Sequence, residues 1–295
     1  MSKILCIGES LIDMIPSQKD ICAYRATAGG APANVCAFAA KLGANTRYIG
    51  KLSTDGLSDI IMDRFKSCGV DMQSIVRDRR YRTAIALVTV SNDGERNFSF
   101  YRDNTADLML CEDDINADAF EKGDILHFCS VGLVESPSKL AHKKAVALAR
   151  EKGTIVSFDV NIRTELYPNA EACRSAVLEF LPYADIVKVT EEELRFVTGE
   201  DDEKEGVKKL FEISPCAKII FITRGANGAD AYDRSLNGVH QDALKIRATD
   251  TTGAGDCFVA SMLYNILQNG FCENAEGYSE SLQFAMIECA RVCLK

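Results

Sequence analysis

At 295 residues, 47% apolar and 26% charged, the chain can bury a large core and has an ordinary globular composition. A net charge of −9, with no run rich in Lys or Arg, argues against a nucleic-acid partner; an anionic small molecule stays open, because a glycine-rich nest binds phosphate even on an acidic protein. No apolar run approaches the ~18 residues of a membrane span, and the twelve cysteines form no C-x-x-C pair.

Several cysteines (Cys6, Cys36, Cys129, Cys257) fall inside apolar runs, where a thiol behaves as a small hydrophobe. That usage suits a reducing compartment, and no signal-peptide pattern precedes the first strand, so a cytoplasmic location is expected. Lys3 to Pro16, with Ile4, Leu5, Ile7, Leu11, Ile12 and Ile15, reads as one buried strand continuing outward. It is not followed by G-x-G-x-x-G and a helix, which argues against a nicotinamide-binding start. Within it Gly8-Glu9-Ser10-Leu11-Ile12-Asp13 ends in an acidic residue, which on local grounds is a strand-exit turn.

Ile21 to Thr27 reads as a short strand before Gly29-Gly30, a pair that lets a ligand approach the backbone closely. From Pro32 to Leu42 the apolar residues Val35, Phe38, Ala39 and Leu42 have helical spacing, with Gly43 closing the helix. Asn34 then falls in the first turn, as a cap or a ligand. A helix from Asp59 to Cys68 ends at Gly69. Arg82–Val90 and Glu95–Arg102 flank Ser91-Asn92-Asp93-Gly94, a hairpin signal. With the strands near 12–16 and 21–27 this hairpin is expected to form a small sheet.

Beyond it the chain alternates strand and helix. Strands are expected at Asp124–Cys129, Thr154–Asp159, Asp185–Val189 and Lys218–Thr223. Helices are expected from Ser136 (cap) and Pro137 to Gly153, over Ala170–Leu181, and over Ser281–Val292 with Phe284, Ile287 and Val292 as the apolar face. Such alternation implies an α/β fold with a mostly parallel sheet covered on both faces. Ligands of such sheets sit at the carboxyl ends of strands, which brings Asp159, Asn161, Arg163, Lys188 and Thr190 together. Thr190-Glu191-Glu192-Glu193 is also a capping box, and Leu236–Val239 reads as a hairpin.

The most informative stretch is Asp250-Thr251-Thr252-Gly253-Ala254-Gly255-Asp256. Phe258/Val259, Met262/Leu263 and Ile266/Leu267 follow at helical spacing, so a loop becomes a helix here. Gly253, Ala254 and Gly255 leave the first-turn N–H groups uncovered, and those groups with the helix dipole suit a phosphate gaining charge during transfer. Asp256 is placed to take a proton from a hydroxyl attacking that phosphate. The bland alternative is an N-terminal cap.

This stretch closely resembles the C-terminal signature of the PfkB sugar kinases, the ribokinase-like family. Ala28-Gly29-Gly30-Ala31-Pro32-Ala33-Asn34-Val35 resembles the family's other signature, and the resemblance runs from Ile4 to the C-terminal end. It implies one kinase domain over 1–295, with a ribokinase-like α/β fold and a β lid (strands within about 12–27 and 82–102) that covers the sugar and offers a homodimer surface. It implies ATP and a small sugar as partners, with Mg²⁺ and K⁺ as cofactors. By the family's pattern Asp13, Gly29, Gly30, Asn34, Arg102, Asn161 and Arg163 bind the sugar. Lys188, Thr190, Thr223, Gly225 and Gly228 face the nucleotide; Glu193 organises Mg²⁺ through water; carbonyls around Asp250 and Thr252 hold the monovalent cation.

The chain departs from the pattern at Ser53 and Ser58, where glycines are usual, at Thr190 in place of Asn, and after the last helix, where relatives continue and the adenine or cation pocket is expected to be built differently. The motifs are most similar to fructokinases. A 2-keto-3-deoxygluconate kinase, with Arg102 or Arg163 on the substrate carboxylate, is the nearer alternative. A phosphosugar would draw on Arg25, Arg82 and Arg96, and a non-catalytic sugar sensor is the distant alternative.

Overall fold

The computed structural model describes residues 2–17, 23–90 and 96–294, with the side chains of Val90 and residues 96–98 excluded. The Ser91–Gly94 turn, the side chain of Arg96 and the start of the strand expected at Ile21 lie outside the described residues. In chain order the elements begin with β1 (Ile4–Ile7), β2 (Leu11–Pro16), β3 (Tyr24–Gly29), α1 (Ala31–Lys41), β4 (Thr46–Leu52), α2 (Gly56–Cys68) and β5 (Asp71–Arg77). They continue with β6 (Ile85–Val90), β7 (Arg96–Tyr101), β8 (Ile125–Cys129), α3 (Pro137–Lys152), β9 (Ile155–Asp159), α4 (Ala170–Phe180), β10 (Ile186–Thr190) and α5 (Glu191–Thr198). The last are α6 (Glu203–Ile213), β11 (Ile219–Thr223), β12 (Ala229–Asp233), β13 (Gly238–Gln241), α7 (Ala254–Asn269) and α8 (Ser279–Cys293).

Among the described residues, nine strands form one sheet in the order β13-β12-β11-β10-β9-β8-β1-β4-β5, parallel except for β12, which runs antiparallel to both its neighbours, β11 and β13. Alternation in β1 shows how the sheet is covered. Ile4 and Cys6 join a core with residues of α1, α2, α7 and α8, while Leu5 and Ile7 join one with residues of α3, α4, α5 and α6. Each fully buried Ile, Leu or Phe in these two layers contributes roughly 1.5–3 kcal/mol. The smaller sheet has the order β3-β2-β6-β7 among the described residues, and in it β2 runs antiparallel to β3 and parallel to β6.

Three expectations are corrected. The first strand is two: Gly8, at φ 149°, breaks the run, and β2 leaves the large sheet for the small one. Ser136 stands at the start of α3 but caps nothing; its Oγ donates instead to the Val134 carbonyl at 2.9 Å. The buried face of α8 is Leu282, Ala285, Met286, Ala290 and Cys293, the stripe at helical spacing that faces inward; Phe284 and Val292 are half-buried, Phe284 beside Tyr264 of α7, and Ile287 is exposed.

Candidate active site

A cleft of about 990 Å³ opens where the strands β9, β10 and β11 end, between the large sheet and the small one. Its centre is the start of α7. Gly253 precedes the helix at φ 79°, a left-handed conformation that costs glycine nothing and a residue with a Cβ about 1 kcal/mol or more. The Ala254 N–H is taken by the Thr251 carbonyl (3.1 Å), and the first bond of the helix ladder runs from Cys257 N–H to Gly253 O (2.8 Å). The N–H groups of Gly255 and Asp256 therefore have no backbone acceptor among the described residues, and both residues line the cleft. Cys257, Phe258 and Val259 are buried immediately behind them and fix the direction of the helix.

Asp256 does not cap α7. It lies on the third residue of the helix, and Asn34 Nδ2 on α1 donates to its Oδ2 at 2.7 Å. Burial pushes its carboxyl above the usual aspartate range, against the Asn34 hydrogen bond and the charges of Lys188, Arg163 and Arg64. Asn34 is held in turn by Arg64 on α2, whose Nη1 donates to Asn34 Oδ1 at 2.7 Å and to the Ala28 carbonyl at 2.5 Å.

On the side of the small sheet, Asp13 of β2 lines the cleft with Ala86 and Phe100. Gly29 is what leaves room for it: a Cβ there would stand 2.2 Å from Asp13 Oδ2. Gly30, at φ 99°, lines the cleft too, and a Cβ would meet the Glu9 carbonyl at 2.5 Å. Glu9 is buried, and its Oε1 accepts the Ala31 N–H at 2.9 Å, so it fixes the turn into α1. Asn161 (φ 36°) and Arg163 follow β9 and line the opposite wall. Arg163 pairs with no carboxylate among the described residues; its Nη1 donates to the Ile162 carbonyl at 2.7 Å. Arg102 stands apart. It is buried against Asp107 (Nε to Oδ2, 2.6 Å) and the Val131 carbonyl (2.9 Å), and it is not among the lining residues.

Lys188, Thr190, Thr223, Gly225 and Gly228 line the remaining wall. Lys188 and Asp159 form a buried ion pair at 3.1 Å, and the Lys188 ammonium would lie 3.9 Å from a Cβ at Gly255. Burial works against that ammonium, but Asp159, Glu193 and Asp256 outweigh it and hold the pKa above the usual lysine value. The loop after β11 is braced by Arg224, which pairs with Glu191 (2.5 Å), Glu203 (2.6 Å) and Asp230. Gly228, at φ 97°, allows β13 to pass, since a Cβ would fall 2.0 Å from the Gln241 carbonyl.

The capping box at Thr190 is complete: the Thr190 N–H reaches Glu193 Oε2 at 2.8 Å, and the Glu193 N–H reaches Thr190 Oγ1 at 3.2 Å. Glu193 Oε1 also accepts the Ile162 N–H at 2.9 Å, tying the loop after β9 to α5. Asp250 Oδ1 accepts the Thr252 N–H at 2.8 Å; Thr252 lines the cleft and Asp250 does not. The segment before it is held to the end of α8, where Thr249 N–H meets the Cys293 carbonyl at 2.9 Å. Among the described residues, no group of three or more His, Cys, Asp or Glu side chains is arranged to hold a metal ion. Sequence reasoning missed Glu9 and Arg64. Glu9 carries a weak signal, an acidic residue in an otherwise apolar run; Arg64 carries none, for its partners are distant in the chain.

The family described as pfkB family carbohydrate kinase matches residues 1–293. The chain is 38% identical to "Probable fructokinase-6, chloroplastic" of Arabidopsis thaliana over 96% of its own length and 75% of that protein's. Among solved structures it is similar to the fructokinase of Vibrio cholerae O395 in a form binding fructose, ADP and a calcium ion, at a TM-score of 0.91, 30% identity, and coverage of 100% of this chain and 94% of that one. A double-mutant form of the same protein, binding fructose, ADP and a potassium ion, matches at a TM-score of 0.91 and 30% identity, covering 100% and 93% of the two chains.

Proposed function

The chain belongs to the pfkB carbohydrate kinase family, and on that premise we propose that it moves the γ-phosphoryl group of ATP to a primary hydroxyl of fructose, with Asp256 as the base. The observation that carries this reading is the Asp256 carboxylate beside the open N–H groups of Gly255 and Asp256 itself. A base and an anion site then share one helix turn. Asp256 takes the hydroxyl proton as the oxygen attacks, and the N–H groups with the helix dipole stabilise the charge gathering on the phosphoryl oxygens. Lys188 lies close enough to the same turn to add its charge.

Asp13, Asn34 and the Gly29–Gly30 backbone are assigned to the sugar hydroxyls, with Asn161 and Arg163 at the junction of sugar and phosphate. Arg102 is assigned a supporting part, holding Asp107 and the Val131 backbone beneath the sugar. The nucleotide is assigned to Thr190, Thr223, Gly225 and Gly228. Mg²⁺ fits this cleft because it needs few protein ligands besides phosphate oxygens and water. Each oxygen of Glu193 accepts a single backbone N–H, which leaves lone pairs for a metal-bound water. When bound, the ion neutralises phosphate charge. K⁺ is assigned to carbonyls around Asp250 and Thr252, in keeping with the potassium-bound relative. The small sheet is the proposed lid, with closure excluding water from the phosphoryl group and a homodimer formed across it. No helix among the described residues is long and apolar enough to cross a membrane. A reducing, cytoplasmic setting is proposed from the thiols of Cys6, Cys36 and Cys129, which are buried among apolar residues without a disulfide.

A second reading rests on Arg163: a cationic fork in the cleft with no carboxylate partner among the described residues is suited to a sugar acid such as 2-keto-3-deoxygluconate. ADP release from Mg-ATP with potassium, measured against fructose, ribose, 2-keto-3-deoxygluconate, fructose 6-phosphate and adenosine, decides between them. Fructose should dominate kcat/KM. Preference for the keto-deoxy acid would replace the first reading with the second.

A further inference from the structure

Asn34 has one side-chain acceptor and two donor hydrogens, and its two ends are satisfied by different neighbours. A guanidinium only donates, so the end that meets Arg64 Nη1 at 2.7 Å is the oxygen, and the Nδ2 end is left to face Asp256 Oδ2 at 2.7 Å. Without Arg64 the amide oxygen loses its donor, and Asp256, the mobile group to be aimed, is left as the one partner that orients the amide. An oxygen turned toward Asp256 would repel the carboxylate. We propose that Arg64 is a positioning residue for phosphoryl transfer, which fixes the orientation of Asn34 and through it aims the Asp256 carboxylate at the acceptor hydroxyl. The inference rests on Asp256 as the base.

Three further observations support it. Nη1 of Arg64 also donates to the Ala28 carbonyl, the residue before Gly29, so one nitrogen joins the sugar-side wall to the base. Arg64 lies within electrostatic reach of both Asp13 and Asp256, and its charge offsets the repulsion between two carboxylates in one cleft. Its own element, α2, is otherwise held by Ile61 and Phe65, buried on either side of it in sequence, so the helix does not depend on Arg64 for its apolar packing.

A double-mutant cycle on sugar-dependent ADP release tests it. Arg64→Met should lower kcat by about ten- to hundred-fold, the scale for a misaimed reacting group. In an Asn34→Ala background the same substitution should cost little more, because its effect passes through Asn34. The charged groups around Asp256 are Asp13 on β2, Lys188 on β10, Asp159 and Arg163 at and after the end of β9, and Arg64 on α2. Losing the last should move the acidic limb of the kcat profile to higher pH. Millimolar guanidinium should restore part of the turnover of Arg64→Ala. If Arg64→Met costs the same with and without Asn34, or leaves both kcat and the limb unchanged, the proposal is overturned. Should Arg64→Met not fold, Arg64→Lys enters the same cycle, and a full cost persisting without Asn34 overturns it equally. Asp256→Asn is run alongside: if it keeps its turnover, the base assignment fails, and the cycle still shows whether Arg64 acts through Asn34.

Discussion

Asn34 and Asp256, 222 positions apart, meet at 2.7 Å where the start of α1 faces the start of α7. The hydrogen bond stabilises the ionised carboxylate, while burial opposes it. Asn34→Ala should therefore raise the Asp256 pKa further, and since the base works only when deprotonated, activity should be lost at a higher pH than in the parent. The parent's acidic limb of kcat/KM should itself lie above the ordinary aspartate value of about 3.9. Profiles of both proteins check this; a limb that stays in place after Asn34→Ala contradicts it.

Gly29→Ala should disable the sugar side selectively. Its Cβ would require Asp13 to move, since 2.2 Å is far inside contact distance. We expect the sugar KM to rise roughly ten- to hundred-fold with the ATP KM little changed. Equal effects on both substrates would show that Gly29 matters for folding instead.

Arg224→Met should do the converse. Removing the guanidinium leaves Glu191, Glu203 and Asp230 facing one another beside the Gly225–Gly228 loop. The ATP KM should rise on the order of ten-fold, equivalent to about 1.4 kcal/mol, and the sugar KM should hold. Initial rates at fixed sugar and varied ATP give the answer.

Glu9 links stability to pH. Burial, opposed by the Arg102 charge, pushes its carboxyl from the usual 4.5 up to about 7. A raised folded pKa means that this contribution is complete below the unfolded value and is lost as pH rises through about 7. Glu9→Gln keeps the oxygen that accepts the Ala31 N–H and removes the ionisation. It should stabilise the protein at pH 8 by on the order of 1–3 kcal/mol and leave it nearly unchanged at pH 4. Thermal melts at the two values decide; a loss at pH 8 would mean that ionised Glu9 is needed by Arg102.

The parts legible in the sequence were those whose meaning is local. Gly253-Ala254-Gly255-Asp256 declares a helix start with an acid in its first turn, and β/α alternation implies where the strands of the large sheet end. Features that depend on distant partners were not legible. Nothing near Arg64 announces Asn34, and Arg102 looked like a ligand because its burial against Asp107 is a tertiary fact. The face of α8 was misread because Ala and Cys carry less hydrophobic weight than Phe and Ile, yet lie on the stripe that faces inward. The break between β1 and β2 was hidden because apolar residues continue on both sides of Gly8-Glu9-Ser10 while the chain changes sheets.

The central claim is that Asp256 is the base, and the most direct measurement is fructose-dependent ADP release by Asp256→Asn, with fructose and nucleotide binding followed in parallel. The account predicts a loss of roughly two to four orders of magnitude in kcat with both ligands still bound. Turnover near that of the parent would contradict it.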